Sequence, residues 1–361
     1  MKRFHPLKVA AKDQETRDSI RIAVDVPDNL KSSFDFHPGQ HLPIQVEVDG
    51  KRVRRTYSIC SEPGRWPLEI GIRVQPGGRF SEYASRSLNV GDVIDVMPPT
   101  GRFHATVDAG TSKYYLGFAS GSGITPILSI ATAILNQEQG SRFALFYGNR
   151  RQDSAMFIED LYALKNRYPD RLQLHFVFSR EDQEFAIGSG RLDAEKVAEL
   201  YERFCSGDRV DEAFVCGPDS MIDTVAAALR ELGLGEDAIH AERFGAPRKS
   251  TAKAAGTGRD VAATASENVA AVTVIIDGHK KTFAMPRDAG NIVDAAADHG
   301  IELPYSCKGG VCATCRTHVR EGSVKMDTNY GLEPWEVEAG FVLACQSRPQ
   351  TDEVLLDYDK S

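Results

Sequence analysis

The sequence predicts three folded parts in one chain: an antiparallel β-barrel, an α/β part built on a parallel sheet, and a small mixed α+β part. Three observations carry that prediction. Residues 4–103 run in short alternating segments (SIRIAVDV, HLPIQVEV, LEIGIRVQ, DVIDVM) broken by DG, PG, GG and PP, as antiparallel strands joined by tight turns do. Residues 113–244 alternate apolar runs (YYLGFAS, FALFYG, LQLHFVFS, EAFVCG) with helical patterns (PILSIATAILNQ, SAMFIEDLYALKNRY, DAEKVAELYERF, DSMIDTVAAALRELG), which implies a parallel sheet covered by helices on both faces. The segment 245–268, GAPRKSTAKAAGTGRDVAATASEN, has no aromatic, Leu, Ile or Met and reads as a linker. The parts are therefore 1–108, 109–244, the linker 245–268, and 269–361.

Composition bounds the rest. With 361 residues, 42% apolar and 26% charged, the chain has ordinary globular usage and the length to bury several cores. The start, MKRFHPLKV, has basic residues but no apolar run after them, so no secretory signal is expected. Residues 114–135 are long enough to cross a bilayer, yet Gly121, Ser122, Gly123, Thr125 and Pro126 interrupt them; they read as strand, loop and helix, and no membrane contact is expected. Seven cysteines at irregular spacing argue against a disulfide framework and for the reducing cytoplasm. A net charge of −8 disfavours nucleic acid as partner. From residue 269 onward there are 9 Lys/Arg against 14 Asp/Glu, an acidic balance that suits docking to a basic surface and equally suits a plain solvated face.

The last part begins with a hairpin (AVTVIIDGHKKTFAMP) and a short helix (IVDAAADHG), then holds the loop CKGGVCATC, another strand and a final strand, DEVLLDY. The loop spacing is Cys307-x4-Cys312-x2-Cys315, with a fourth sulfur at Cys345 in FVLACQ. This is the plant-type [2Fe–2S] pattern. Two irons bridged by sulfide need two thiolates each, so a tight loop supplies three and a separate segment the fourth. Gly309 and Gly310 let the backbone come close and aim N–H groups at sulfur. Cys312-x2-Cys315 also fits a structural zinc, but zinc sites draw on two such pairs and the second is missing. Cys60 and Cys205 read as ordinary buried thiols.

Two further motifs point to nucleotides. Arg55-Thr56-Tyr57-Ser58 ends the basic strand KRVRRTYS, which alone fits a barrel edge. One hairpin later GGRFS (77–81) offers backbone N–H groups, the Arg79 cation and the Ser81 hydroxyl, a set suited to a pyrophosphate. Together they make a flavin site. Gly121-Ser122-Gly123-Ile124-Thr125-Pro126 lies between a strand and a helix, where N–H groups can hold phosphate; Pro126 stands where a dinucleotide fingerprint has its third glycine. Ser179-Arg180 ends the strand LQLHFVFS and fits either an extra 2′-phosphate or a structural surface arginine. Cys216-Gly217-Pro218 ends the next strand, at the carboxyl edge where such sheets bind ligands.

In order and in residues, the chain resembles the ferredoxin–NADP reductase superfamily in the arrangement flavin domain, nucleotide domain and C-terminal plant-type ferredoxin. The resemblance spans everything except the linker. It implies a β-grasp fold for the last part and FAD, NADPH and a [2Fe–2S] cluster as cofactors. Arg55, Tyr57 and Ser58 match the motif in which Arg contacts the FAD pyrophosphate, Tyr packs on the ring system and Ser lies near its reactive nitrogen, with Thr56 between them; Gly78, Arg79 and Ser81 match the second flavin phosphate motif. GSGITP (Gly121, Gly123, Thr125, Pro126), YGNR (Arg150), FSRE (Ser179, Arg180) and CGP (Cys216, Gly217, Pro218), with Phe244, match the nicotinamide-nucleotide side. Cys216 and Ser58 are implied at the point of electron transfer.

Within the superfamily HPGQH (37–41), YSIC (57–60), LPYSCKGGVCATC (303–315), TNYGLEP (328–334) and LACQ (343–346) are most similar to reductases serving the di-iron phenylacetyl-CoA epoxidase of phenylacetate degradation. Many also occur in reductases of Rieske oxygenases such as the steroid 9α-hydroxylase. The resemblance thus implies an electron-transfer enzyme whose partner is an oxygenase; a redox-sensing flavin and iron–sulfur protein is the alternative outside catalysis.

Overall fold

The computed structural model describes residues 3–244, 268–288 and 290–360. They form two compact units, one ending at Phe244 and one lying beyond it. Apart from Asn268, the segment that reads as a linker lies outside the described residues.

The first unit opens with six strands: β1 (His5–Thr16), β2 (Ser19–Asp25), β3 (His41–Val48), β4 (Lys51–Ser58), β5 (Leu68–Arg73) and, after helix α1 (Arg79–Arg86), β6 (Val93–Val96). All pair antiparallel in the order β4-β3-β6-β1-β2-β5. The two edges meet where Ile59 bridges Ile70 and the Cys60 N–H donates to Glu69 O at 2.9 Å, which closes the barrel. Alternation decides what faces in: Ile20, Ile22 and Val24 of β2 meet Leu68, Ile70 and Ile72 of β5 in one apolar core.

The same unit continues as β7 (Tyr114–Ser120), α2 (Ile124–Gln137), β8 (Arg142–Asn149), α3 (Ile158–Arg167), β9 (Leu172–Phe178), α4 (Ala194–Cys205), β10 (Glu212–Gly217), α5 (Asp219–Glu231) and β11 (Ile239–Arg243). The sheet is wholly parallel, order β11-β10-β7-β8-β9, with a core on each face. One of those cores takes in Cys60, Phe103 and Ala105, so barrel and sheet pack as one body.

The sequence differs from the structure here in two ways. SAMFIEDLYALKNRY predicts a helix from 154, yet α3 starts at Ile158 because Phe157 adopts φ 61°. That turn drives its ring against Gly71, where a Cβ would lie 2.7 Å from Phe157 Cζ, and under the Arg21 guanidinium at 4.7 Å. The fifth strand, β11, is absent from the sequence pattern: IHAER has too few apolar residues to announce itself.

The second unit comprises β12 (Val269–Ile276), β13 (His279–Pro286), α6 (Ile292–Asp298), β14 (Arg316–Glu321), β15 (Val324–Met326), α7 (Pro334–Glu338), β16 (Phe341–Leu343), β17 (Ser347–Pro349) and β18 (Glu353–Asp357). Asp277 and Gly278, at φ 48° and 74°, turn the β12–β13 hairpin in the type I′ manner that the DG pair foretells. β18 returns parallel to β12, giving the order β13-β12-β18-β14-β16 with α6 packed on its inner face, a β-grasp. Among the described residues no helix is long and apolar enough to cross a membrane.

Candidate functional site

The register of β3 and β4 sets Ser58 opposite His41 and Arg55 opposite Ile44. Of two adjacent arginines, Arg54 is buried and gives its Nε to Gln45 Oε1 at 2.5 Å, whereas Arg55 is exposed, with its Nη1 on the Arg54 carbonyl at 2.6 Å. Alternation along the strand thus commits one guanidinium to the sheet and presents the other at the surface. Thr56 and Tyr57 are half-buried, and the Tyr57 ring leans on Phe80 of α1 with centroids 5.2 Å apart. Burial pushes the Tyr57 phenol up, so it stays neutral.

Helix α1 packs on β3 and β4 and is preceded by Gly78 as its N-terminal capping residue. A Cβ on Gly78 would stand 2.5 Å from Ser81 Oγ and 2.8 Å from Gln75 O. Ser81 Oγ accepts from the Gln75 N–H at 3.0 Å and donates to Gly78 O at 3.2 Å. The hydroxyl therefore closes the turn; the N–H groups of the helix start stand beside Arg79, whose Nη2 donates to Val48 O at 3.2 Å, and they suit an anion. The arrangement fits a dinucleotide pyrophosphate. Arg55→Ala is expected to weaken FAD retention by about tenfold to a hundredfold, the value of a charge-assisted pair. Flavin content after gel filtration at low protein concentration checks it, with the thermal stability of the flavin-free protein unchanged because Arg55 is exposed.

Ser58 leads to a group that sequence reasoning missed. Its Oγ donates to Glu242 Oε2 at 3.4 Å, and His41 Nδ1 lies 3.4 Å from Glu242 Oε1. Ser58, His41 and Glu242 are 3%, 6% and 8% exposed, so the three protonable groups form a line shut off from water. Glu242 comes from β11 and pairs in register with Cys216 of β10, which is fully buried. Burial first, then the Glu242 charge, pushes the Cys216 thiol far up, so it is no nucleophile. Ser58 and Cys216, far apart in sequence, are joined through Glu242. The one signal for it was an acid at the carboxyl edge of a strand that the sequence pattern itself conceals.

The nucleotide residues meet in a cavity of about 660 Å³ at the carboxyl edge of the parallel sheet. Gly121, Arg150, Ser179, Arg180, Gly217, Pro218 and Phe244 all line it, as do Arg191, the buried Asn149, whose Nδ2 has no acceptor among the described residues, and Gln75 from the flavin-side turn. Backbone bonds hold the cationic end together: Ser179 N to Asn149 O, and Arg180 N to Arg150 O, both 2.9 Å. Gly123, Thr125 and Pro126 do not line the cavity; they are buried, and Thr125 Oγ1 donates to Ser122 O at 2.9 Å. Their part is to seat the loop. A Cβ on Gly123 would lie 2.1 Å from Cys216 O, so only glycine lets α2 start against the end of β10.

In the second unit the four predicted thiols come together as two pairs, Cys307 with Cys312 and Cys315 with Cys345. The loop departs from ordinary backbone: Lys308 and Ala313 take φ 52° and 51°, and Gly310 takes φ 76° with Thr328 O only 2.8 Å from where its Cβ would be. That winding turns N–H groups inward. Gly309 N and Cys312 N reach Cys307 Sγ at 3.3 and 3.4 Å, Cys307 N reaches Cys312 Sγ at 3.4 Å, and Thr314 Oγ1 donates to Cys312 Sγ at 3.2 Å. The Cys312 thiol, then backbone N–H groups, bring Cys307 down to about 5, and the Cys315 thiol likewise lowers Cys345. Thiols in pairs, wrapped by donors to sulfur, suit two irons with two thiolates each. Cys60 and Cys205 are free and buried within the first unit, as expected of ordinary core thiols.

Comparison with known proteins agrees with this geometry. Family models match for an oxidoreductase FAD-binding domain over residues 6–105, an oxidoreductase NAD-binding domain over 118–227 and a 2Fe-2S iron-sulfur cluster binding domain over 274–350. The chain belongs to the ferredoxin-reductase family of oxidoreductases that carry FAD-binding, NAD-binding and 2Fe-2S domains, and moves electrons from NAD(P)H through FAD to a [2Fe–2S] cluster. Among particular relatives, it is 42% identical to one of the subunits of 1,2-phenylacetyl-CoA epoxidase from Escherichia coli (strain K12), covering 99% of both chains. It is 34% identical to the ferredoxin reductase component of 3-ketosteroid-9-alpha-monooxygenase from Rhodococcus rhodochrous, over 98% of this chain and 96% of that one. The fold matches phthalate dioxygenase reductase at a TM-score of 0.61 and 24% identity, covering 98% of each chain.

Proposed function

We propose that this chain draws electrons from NADPH and delivers them singly to a di-iron oxygenase that epoxidises phenylacetyl-CoA. The observation that carries the reading is the 42% identity, end to end, with a component of such an epoxidase. When bound, FAD takes the electron pair of the nicotinamide and releases it as the single electrons an iron–sulfur cluster accepts. The chain's own residues then have separable tasks. Arg55, Arg79 and the Gly78 turn hold the flavin pyrophosphate, and Tyr57 backs its ring. Gly121, Gly217 and Pro218 line the cavity and would hold the nicotinamide nucleotide there. Ser58, Glu242 and His41 form a dry line of polar contacts at the transfer point. Cys307, Cys312, Cys315 and Cys345 hold the cluster.

The selection of NADPH rests on Ser179 and Arg180, which line the cavity, with Arg180 N bonded to the carbonyl of Arg150. Ser179→Ala with Arg180→Ala is expected to raise the KM for NADPH about a hundredfold while leaving NADH within about twofold. Steady-state kinetics with both nucleotides decide it; an unchanged NADPH to NADH ratio removes the 2′-phosphate role. The domain limits 1–108, 109–244 and 269–361, with a tether at 245–268, and a cytoplasmic location that keeps the cluster thiols reduced, complete the reading.

The partner is tested by mixing the protein with the catalytic components of the epoxidase, phenylacetyl-CoA and NADPH and following epoxide by mass spectrometry. Product at a rate set by this protein supports the reading. Flavin and cluster reduction without product moves the partner to a Rieske oxygenase, the second reading, which the 34% identical steroid monooxygenase component favours.

A further inference from the structure

The exposed apolar side chains of the second unit are gathered rather than scattered. Among the described residues nine large hydrophobic side chains stand exposed, and three of them, Tyr330, Trp335 and Val337, lie within eight residues of one another. Trp335 is 61% exposed, Tyr330 48% and Val337 40%. Exposed apolar residues are ordinary when single; close together they mark a contact surface. The exposed charges of residues 329–340 are Glu333 and Glu338, both acidic.

The same segment helps house the four thiols. Thr328 O lies 2.8 Å from where a Cβ on Gly310 would stand, the Tyr330 N–H donates to Gly310 O at 2.9 Å, and a Cβ on Gly331 would lie 2.6 Å from Val311 O. Helix α7 is then clamped from inside. The fully buried Glu336 accepts from the Glu333 N–H at 3.0 Å and, through its other oxygen, from Nε of Arg316, the neighbour of Cys315, at 2.8 Å. Pro334 pre-sets the first residue of α7. Trp335 is thus presented on a braced turn whose supports run to the cysteine loop, and a protein seated on it loses little ordering entropy.

We propose that Trp335, with Tyr330 and Glu338 to either side of it in the chain, anchors the protein that takes electrons from this one, and that this acceptor meets it with an apolar seat rimmed by cationic side chains. The proposal rests on the electron-delivery reading above. An acceptor that leaves after each electron makes a small contact; such encounters lie at the low end of interface size, which a short patch centred on one indole matches. Trp and Tyr are the residues on which binding energy concentrates, and an acidic rim steers a cationic partner. Trp335 is a docking residue in this scheme and carries no electron.

The test compares the full chain with Trp335→Ala in NADPH-driven turnover of the epoxidase catalytic components, varying their concentration. Trp335→Ala is expected to raise the KM for those components about thirtyfold, with the cluster spectrum, ferricyanide reduction and NADPH-driven cluster reduction all native. Trp335→Phe should keep the KM within about threefold of the wild type, because an aromatic ring still fills the seat. Glu338→Lys is expected to raise the KM at low salt and to lose that effect at high salt. A native KM in Trp335→Ala overturns the proposal, and so does slowed cluster reduction with a native KM, which assigns the indole to transfer within the chain. Wild-type protein that reduces its own cluster yet yields no epoxide overturns the partner reading instead; the docking proposal is then decided with the oxygenase of a steroid monooxygenase system as acceptor, by the same ratio of KM values.

Discussion

Cys345→Ser is expected to erase the [2Fe–2S] absorption and to cut electron delivery to cytochrome c by about a hundredfold or more, since loss of a ligand costs at least what loss of an outer-shell partner does. Reduction of the flavin by NADPH should persist, because Cys345 lies in the second unit and the flavin and nucleotide residues all lie in the first. The residue is 2% exposed in a single turn, Ala344–Gln346, that follows β16 and sets its sulfur beside Cys315. A serine hydroxyl holds its proton near neutral pH and leaves the Cys315 half with one thiolate. Ferricyanide, which takes electrons directly from flavin, is the control acceptor. A variant that keeps the full cluster spectrum contradicts the assignment of the fourth ligand.

Gly123→Ala should be nearly as damaging on the nucleotide side. The native φ of −61° is one alanine adopts freely, so the substitution tests close approach alone. The added Cβ would lie 2.1 Å from Cys216 O, 2.5 Å from Cys216 C and 2.9 Å from Gly217 N, all backbone that cannot rotate away. Relief requires the 121–123 turn to lift from the end of β10, carrying Gly121 off the cavity wall. A displacement of that order costs about a hundredfold in kcat/KM for NADPH, and overpacking costs about 1–3 kcal/mol of stability. Gly235→Ala is the matched control, with φ −65° and nothing within 4 Å of the new carbon. Stopped-flow reduction of the flavin measures the first effect and thermal unfolding the second; native rates in Gly123→Ala would show that the loop does not seat the nucleotide.

What the sequence reveals and what it hides divide along physical lines. Period-two alternation in SIRIAVDV and LEIGIRVQ, continuous apolar runs such as FALFYG, and the DG turn at 277–278 are local signals, and each appears as the strand or hairpin it implies. The cysteine spacing is legible because chemistry fixes it. Glu242 is hidden because its strand, IHAER, is built from polar residues satisfied by tertiary partners: His240 lies 3.2 Å from Glu212 Oε2 and stacks on Phe214 at 4.9 Å. The late start of α3 is hidden for a similar reason, since the left-handed Phe157 is held by Gly71 and Arg21 from the barrel. GSGITP reads in sequence as a row of phosphate contacts, whereas its Gly121 end lines the cavity and its Thr125-Pro126 end is buried packing. Motifs name the neighbourhood; only the packing says which residue faces the ligand.

The central claim is that one chain converts the electron pair of NADPH into single electrons on its own cluster. The most direct measurement is an anaerobic titration of the purified full-length protein with NADPH, reading flavin absorbance and the electron paramagnetic resonance of the cluster in the same samples. The account predicts that the flavin band bleaches together with the appearance of one reduced [2Fe–2S] signal per chain, without any added protein. Flavin bleaching with no reduced-cluster signal would contradict it.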